Sequence, residues 1–167
     1  MSGSSGMKSV WMMLVQRRLH LAQTVSEDPT VAVMEWNETL ELDRGVMDDT
    51  HREFIALLNR LAESPETEML AVLDEFIAHT EAHFSQEQRW MEQMSFPPTE
   101  CHVNDHQGVL QVALEVRKRA TAGETRFGPV LARAVAEWFA THATSMDHVL
   151  ALYMKEVGFN PDALAAA

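Results

Sequence analysis

The amino-acid sequence predicts an all-α fold, an up-down-up-down antiparallel four-helix bundle with an N-terminal extension. Three observations carry that reading. Apolar residues recur at three- and four-residue steps through four long segments, the pattern of a helix with one buried face. The seven glycines and six prolines fall between those segments or at their ends, with Gly108 the exception. The breaks are short, so consecutive helices become antiparallel neighbours.

Each element has its own justification. Residues 1–6, MSGSSG, read as a cloning linker and are set aside. Residues 7–35 form the N-terminal extension, whose first part places Trp11, Leu14, Val15 and Leu19 on one side of a short amphipathic helix. The bundle spans 36–160 and a C-terminal tail 161–167. Its first helix is expected over 48–63, with Asp48 and Thr50 as candidate caps and Thr50 with Glu53 at capping-box spacing. The inward line is Phe54, Ile55, Leu58 and Leu61, and Ser64-Pro65 ends the helix. The second is expected over 67–94, with Leu70, Leu73, Phe76 and Ile77 facing inward. Pro97-Pro98 stops it, because proline lacks the backbone donor and clashes with the preceding turn. The third, over 100–121, carries Val109, Leu110, Ala113 and Val116. Gly123 and Gly128-Pro129 mark the next break. The fourth runs over 129–157, with proline suited to its first turn and Gly158 to its end. Its inward line is Leu131, Val135, Trp138, Val149 and Tyr153.

Charge and composition exclude several function classes. A net charge of −12 leaves no basic face for nucleic acid and opposes docking to anionic lipid. The apolar run from Val10 to Val15 is far too short to span a bilayer, and Arg17 and Arg18 follow it directly. The single cysteine, Cys101, cannot form an internal disulfide, which makes a reducing cytoplasm the default compartment.

The informative residues are polar ones on the apolar stripes. His51 lies one turn before Phe54 and Ile55. The second segment carries His83 and Glu87, four apart and stacked on one face. The third carries His102 and His106 at the same spacing, and the fourth carries His142 and then Asp147. Helix surfaces are rich in any one such pair, but here every segment repeats the placement on its inward line. Burying five imidazoles and two carboxylates without partners costs several kcal/mol each, and a metal cluster resolves that cost for all of them together. Depth along the bundle agrees. Measured from the intervening turns at about 1.5 Å per residue, the ligands of antiparallel neighbours differ by only about a turn of helix.

Five nitrogens and two carboxylates exceed the capacity of one ion, and no cysteine cluster points to structural zinc. If each carboxylate bridges two octahedral ions and a solvent-derived group bridges them as well, one position stays open for a small ligand. Imidazole-plus-carboxylate ligation suits iron among the available metals. Asp147 strains this reading: a five-residue step places it about 140° from His142 on a regular helix. A local π-type irregularity or a wide inward face would bring both to the cluster.

A lone His, then HFSQE (83–87), HVNDH (102–106) and HATSMD (142–147), with MDDTHREF and EWFATH beside them, resembles the bacterial hemerythrins over roughly 36–159. The resemblance implies that one iron takes His102, His106 and His142. The other takes His51 and His83 and keeps the open position. Glu87, Asp147 and an oxo or hydroxo group bridge the two ions, and dioxygen is the ligand. Phe54, Trp138 and Phe139 are the candidate walls of the oxygen pocket. Ala143 departs from the larger aliphatic residue that family members often carry after the fourth-helix histidine, and would loosen that pocket. His79 is a rival ligand four residues before His83, His148 is expected in solvent, and Cys101 is expected to pack rather than ligate.

The functional expectation is a non-haem di-iron protein that binds dioxygen reversibly for storage, delivery or buffering, and not an enzyme. The alternative is an oxygen- or redox-sensing module acting through a protein partner that meets the extension at 7–35. An oxidase, a peroxidase or an iron-centre repair protein is opposed by the histidine-rich donor set. Carboxylate-rich di-iron enzymes use Glu-x-x-His pairs, and none occurs here.

Overall fold

The computed structural model describes residues 32–165. The proposed linker at 1–6 and all but the last four residues of the proposed extension, its amphipathic stretch included, lie outside that range. A single 3₁₀ turn, Glu38–Leu40, precedes helices α1 (Gly45–Glu63), α2 (Met69–Gln93), α3 (Thr99–Thr121) and α4 (Phe127–His142). A π-helical turn, Ala143–Asp147, joins α4 to α5 (His148–Val157), and a short α6 (Pro161–Ala165) closes the described chain. The helices pair α1 with α2, α2 with α3, α3 with α4 and α4 with α1, a closed four-helix bundle. No helix among the described residues is long and apolar enough to cross a membrane.

The apolar stripes meet as the periodicity requires. Phe54, Leu58, Leu61, Leu73, Phe76, Val109, Ala113, Val116, Leu131 and Val135 are all fully buried in one large cluster. Each of these side chains larger than alanine contributes about 1.5–3 kcal/mol over its exposed state. A second, smaller cluster at the other end joins Met47, Trp90, Met91, Phe96, Leu150 and Met154. The helices therefore carry two apolar cores with a gap between them, and the polar residues of every stripe fall in that gap.

The first helix begins a turn earlier than its caps predicted. Asp48, inside the helix, reaches back to accept from the N–H of Leu42 and of Arg44, at 2.9 and 3.0 Å. Val46 N–H, another orphan of the first turn, donates to Asp162 Oδ1 at 2.8 Å. Thr50 is no cap; its hydroxyl donates to the carbonyl of Val46 within the helix. A carboxylate from residue 162 is invisible to local pattern reading, so the helix start was misplaced.

At the far end, Gly158 takes φ +71° and stops α5. Phe159 N–H then bonds to the Met154 carbonyl at 2.9 Å, and its ring joins the smaller core. The αL position suits glycine because it lacks a Cβ. Val149, expected on the inward line, is instead 49% exposed. The π turn inserts an extra residue, so the buried line after it passes through Leu150, Ala151 and Met154.

Asp162→Ala removes the acceptor at the α1 N-terminus. Loss of such a cap costs about 1 kcal/mol, which thermal unfolding monitored by circular dichroism will read as a lowered midpoint with unchanged helix content.

Candidate metal centre

The gap between the two cores holds His51, His83, Glu87, His102, His106, His142 and Asp147, all at most 4% exposed. Each helix delivers them by its own period. His83 and Glu87 stack at one turn on α2, as do His102 and His106 on α3. The π turn does the same for α4 and α5: five residues of π-helix cover the angle that four cover in α-helix, so His142 and Asp147 both face inward.

Two groups of donors result, Glu87, His102, His106, His142 and Asp147 on one side and His51, His83 and Glu87 on the other. Within each group, the ligand atoms lie within 4.8 Å of one another. Glu87 turns Oε1 to His83 Nε2 at 2.9 Å and His51 Nε2 at 3.5 Å. Its Oε2 faces His102 and His106 at 3.3 and 3.5 Å. Asp147 does likewise: Oδ1 lies 3.1 Å from both His102 and His142, and Oδ2 lies 3.5 Å from His51. Each carboxylate thus gives one oxygen to each half.

The electrostatics follow from that crowding. Burial opposes the charged form, and the mutual attractions outweigh it at His51, His102, His142, Glu87 and Asp147 but not at His106. Against burial, Asp147 and Glu87 hold His102 up at about 9. Likewise Asp147 and Asp105 outweigh burial at His142 and hold it at about 10. Burial also opposes ionisation of Glu87, yet His83, His102 and His51 bring it well below the ordinary glutamate range. Asp147 is lowered against both burial and the Glu87 charge by His142 and His102. His106, burdened by burial and by the neighbouring histidines, is pushed well below its ordinary value despite Glu87.

The donor set fits a pair of cations. Glu87 Oε2 and both oxygens of Asp147 have no hydrogen-bond partner, although imidazole nitrogens stand within 3.1–3.5 Å of them. Approach at that distance without hydrogen-bond geometry is what side chains directed at a shared third atom give. His142 Nε2 lies 3.0 Å from His106 Nε2 and 3.1 Å from His102 Nε2, and a single proton can serve only one of those contacts. Leaving such groups unpaired costs about 1–3 kcal/mol each. A cation in each half satisfies all of them.

All seven histidines and carboxylates singled out in the sequence are brought together. His79 is not among them; its ring nitrogens face the Thr50 carbonyl and Glu53. His148 is exposed, and so is Cys101, which neither packs nor ligates. Of the three aromatics, Phe54 and Phe139 flank the two-histidine half, with ring centroids 5.7 Å from His83 and 5.0 Å from His51. Trp138 belongs to the other half, stacked on His142 at 4.4 Å. Sequence reading missed Asp105, whose Oδ2 meets His142 Nδ1 at 2.9 Å and the Trp138 indole N–H at 2.8 Å. It also missed Phe84, stacked on His106 at 3.7 Å. Asp105 was detectable in principle, since it sits between the two histidines of HVNDH, but its partners lie on another helix.

Residues 43–152 match the model of the hemerythrin HHE cation-binding domain. The chain belongs to the hemerythrin family. A bacteriohemerythrin of Ralstonia nicotianae is 42% identical over 131 residues, 78% of this chain and 94% of that protein. A bacteriohemerythrin of Stenotrophomonas maltophilia is 28% identical, covering 75% of this chain and 84% of its own length. The crystal structure of a hemerythrin point mutant superposes with a TM-score of 0.68 over 74% of this chain and 98% of that one; at 23% identity it supports the fold. Membership of the hemerythrin family implies a di-iron, oxygen-binding domain.

In the metal-free protein the raised His102 and His142 stabilise the fold fully below their ordinary value of 6.5, and that stabilisation is lost as pH rises through about 9 to 10. The lowered Glu87 and Asp147 contribute above their ordinary values of 4.5 and 3.8, and their contribution is lost on acidification. The metal-free melting temperature is therefore expected to peak between those limits. Metal loading runs the other way: the protons on His102 and His142 must leave, so apparent affinity rises roughly tenfold per pH unit for each proton displaced. Isothermal titration in buffers of different ionisation enthalpy will count those protons.

The π turn gives an asymmetric indel test. Deleting Ser145 restores regular α-helix with His142 and the aspartate four apart on one face, so metal content by elemental analysis should be retained. Inserting an alanine after Ser145 rotates the aspartate by about 100° and should abolish loading.

Proposed function

We propose that the buried layer is a di-iron centre and that the protein binds dioxygen reversibly, serving oxygen storage, delivery or buffering. The observation that carries this reading is that Glu87 and Asp147 each offer one oxygen to either half, the geometry a pair of bridging carboxylates requires. His102, His106 and His142 would hold one ion, and His51 and His83 the other. The two irons, when bound, supply the electrons on which reversible oxygen binding draws.

The protein's own residues do the rest. The second half has fewer protein donors, which favours ligand binding there, beside Phe54 and Phe139. Those two rings pack against each other with centroids 4.8 Å apart and are fully buried, so they exclude the water and protons that would end a reversible cycle. Ala143, also fully buried, limits the wall to a methyl group at the start of the π turn. Once metal has displaced the protons of His102 and His142, the donor set adds only two negative charges beside five neutral imidazoles. Little anionic charge is available to stabilise high-valent iron, which favours binding over oxidative catalysis, and on this reading the protein is not an enzyme.

The test is an optical spectrum of the reduced, desalted protein before and after exposure to air, followed by argon sparging. Charge-transfer bands that rise in air and fade under argon are the expected outcome. Direct conversion to a stable ferric spectrum would replace reversible binding with redox sensing or catalysis. Zinc found in place of iron in protein isolated from cells would remove the oxygen reading altogether.

A further inference from the structure

All five histidines of the layer turn Nε2 towards the carboxylates or towards one another. Their other ring nitrogens are treated unequally. Nδ1 of His51, His83 and His106 has no hydrogen-bond partner. His142 Nδ1 faces a carboxylate, Asp105 Oδ2, at 2.9 Å. The same oxygen accepts the indole N–H of Trp138 at 2.8 Å. Trp138 lies one turn before His142 on α4, and the two rings stack with an interplanar angle of 29°. One side chain from α3 therefore fixes two rings of α4.

We propose that Asp105 is a positioning residue that makes the two halves of the centre electronically unequal, with Trp138 moderating its effect. This rests on the assignment of His142 as a metal ligand. With Nδ1–H donated to Asp105, the Nε2 lone pair of His142 is the one presented to the layer, and the ring cannot turn over. Donation to a carboxylate also moves electron density into the ring and makes Nε2 a stronger donor. The ion held by His102, His106 and His142 is then bound more tightly and stabilised at higher charge than the ion held by His51 and His83. The indole N–H draws on the same carboxylate oxygen and so weakens the pull on His142.

A packing role and an electronic role predict different signs. If Asp105 only ties α3 to α4, removing either hydrogen bond loosens the same contact, and both variants shift in the same direction. If it strengthens His142, removing the carboxylate weakens the donor, whereas removing the competing indole N–H strengthens it.

The experiment compares Asp105→Ala, Asp105→Asn and Trp138→Phe with the parent protein, each full-length. Iron-loaded protein is challenged with a chelator while its midpoint potential is measured by redox titration. Zinc-loaded protein is studied by ¹⁵N-histidine nuclear magnetic resonance. Asp105→Ala is expected to release one of its two ions about 10–100-fold faster, to raise the midpoint potential, and to lose the downfield, slowly exchanging Nδ1–H signal of His142. Asp105→Asn, which keeps the shape and an acceptor without the charge, should shift less in the same direction and covers the case that the alanine variant does not fold. Trp138→Phe, which keeps a ring to stack, should slow metal release and lower the potential. A shift of Trp138→Phe in the same direction as Asp105→Ala would overturn the proposal, as would Asp105→Asn with parental release and potential. A parent protein that takes up neither iron nor zinc would overturn the metal assignment itself, and this inference with it.

Discussion

The polar layer is the constraint that everything else in this bundle accommodates. Five imidazoles and two carboxylates sit at most 4% exposed, in an interior where an unpaired carboxylate is costly. Their spacing decides which partner can relieve that cost. The imidazoles are too many and too close for one-to-one ion pairing with the carboxylates, and several of the contacts lack hydrogen-bond geometry. Protonation of His102 and His142 balances the two carboxylates in charge, but it leaves oxygens of Glu87 and Asp147 without hydrogen-bond partners and places cationic rings beside each other. A divalent cation in each half does what protonation cannot, since it binds several lone pairs at once.

That layer also dictates the proportions of the fold. Because it interrupts the apolar stripes, each helix needs hydrophobic contacts on both sides of it, and α1, α2 and α3 run to 19, 25 and 23 residues. The large core lies on one side, and the methionine-rich cluster of Met47, Met91 and Met154 seals the other. Methionine suits that place because its flexible side chain fills irregular space at the end of a bundle. The loop around Asp48 and the Asp162 contact then tie the N-terminus of the first helix, two turns from His51, to the segment that follows Asp147.

The legibility of this protein in its sequence divides along the same line. The four helices, most of their inward residues and six of the seven polar members of the layer are set by local period, and Phe54, His83 or Val109 can be placed by counting along one segment. The Asp147 step was the exception that geometry could not demand, and the π turn resolves it at the cost of shifting the later phase, which carried Val149 outward. What escaped was long-range. Asp162 fixes where the first helix begins from 116 residues away. Asp105 acts on rings of another helix, and Trp138 has a different neighbour from the one its sequence position suggested. A residue whose role is to touch a ligand repeats on its own helix; a residue whose role is to orient a ligand is defined by a partner elsewhere.

The two halves of the layer differ in kind, and the difference bears on where small-molecule chemistry belongs. Around His142 and His106 the supports are anchored: a carboxylate, an indole N–H and the Phe84 ring lying nearly parallel to His106. Such a shell fixes imidazoles and suits a saturated ion that must not move. Around His51 and His83 stand the rings of Phe139, edge-on to His51, and of Phe54, edge-on to His83, which have no polar atom to offer. Those rings cannot compete for a coordination position and cannot deliver a proton. A neutral diatomic ligand loses little on entering such surroundings, whereas water or an anion would give up hydrogen bonds that nothing replaces. The side of the layer with fewer donors is thus also the side that selects for an apolar guest, and the two properties reinforce each other at one ion of the proposed pair.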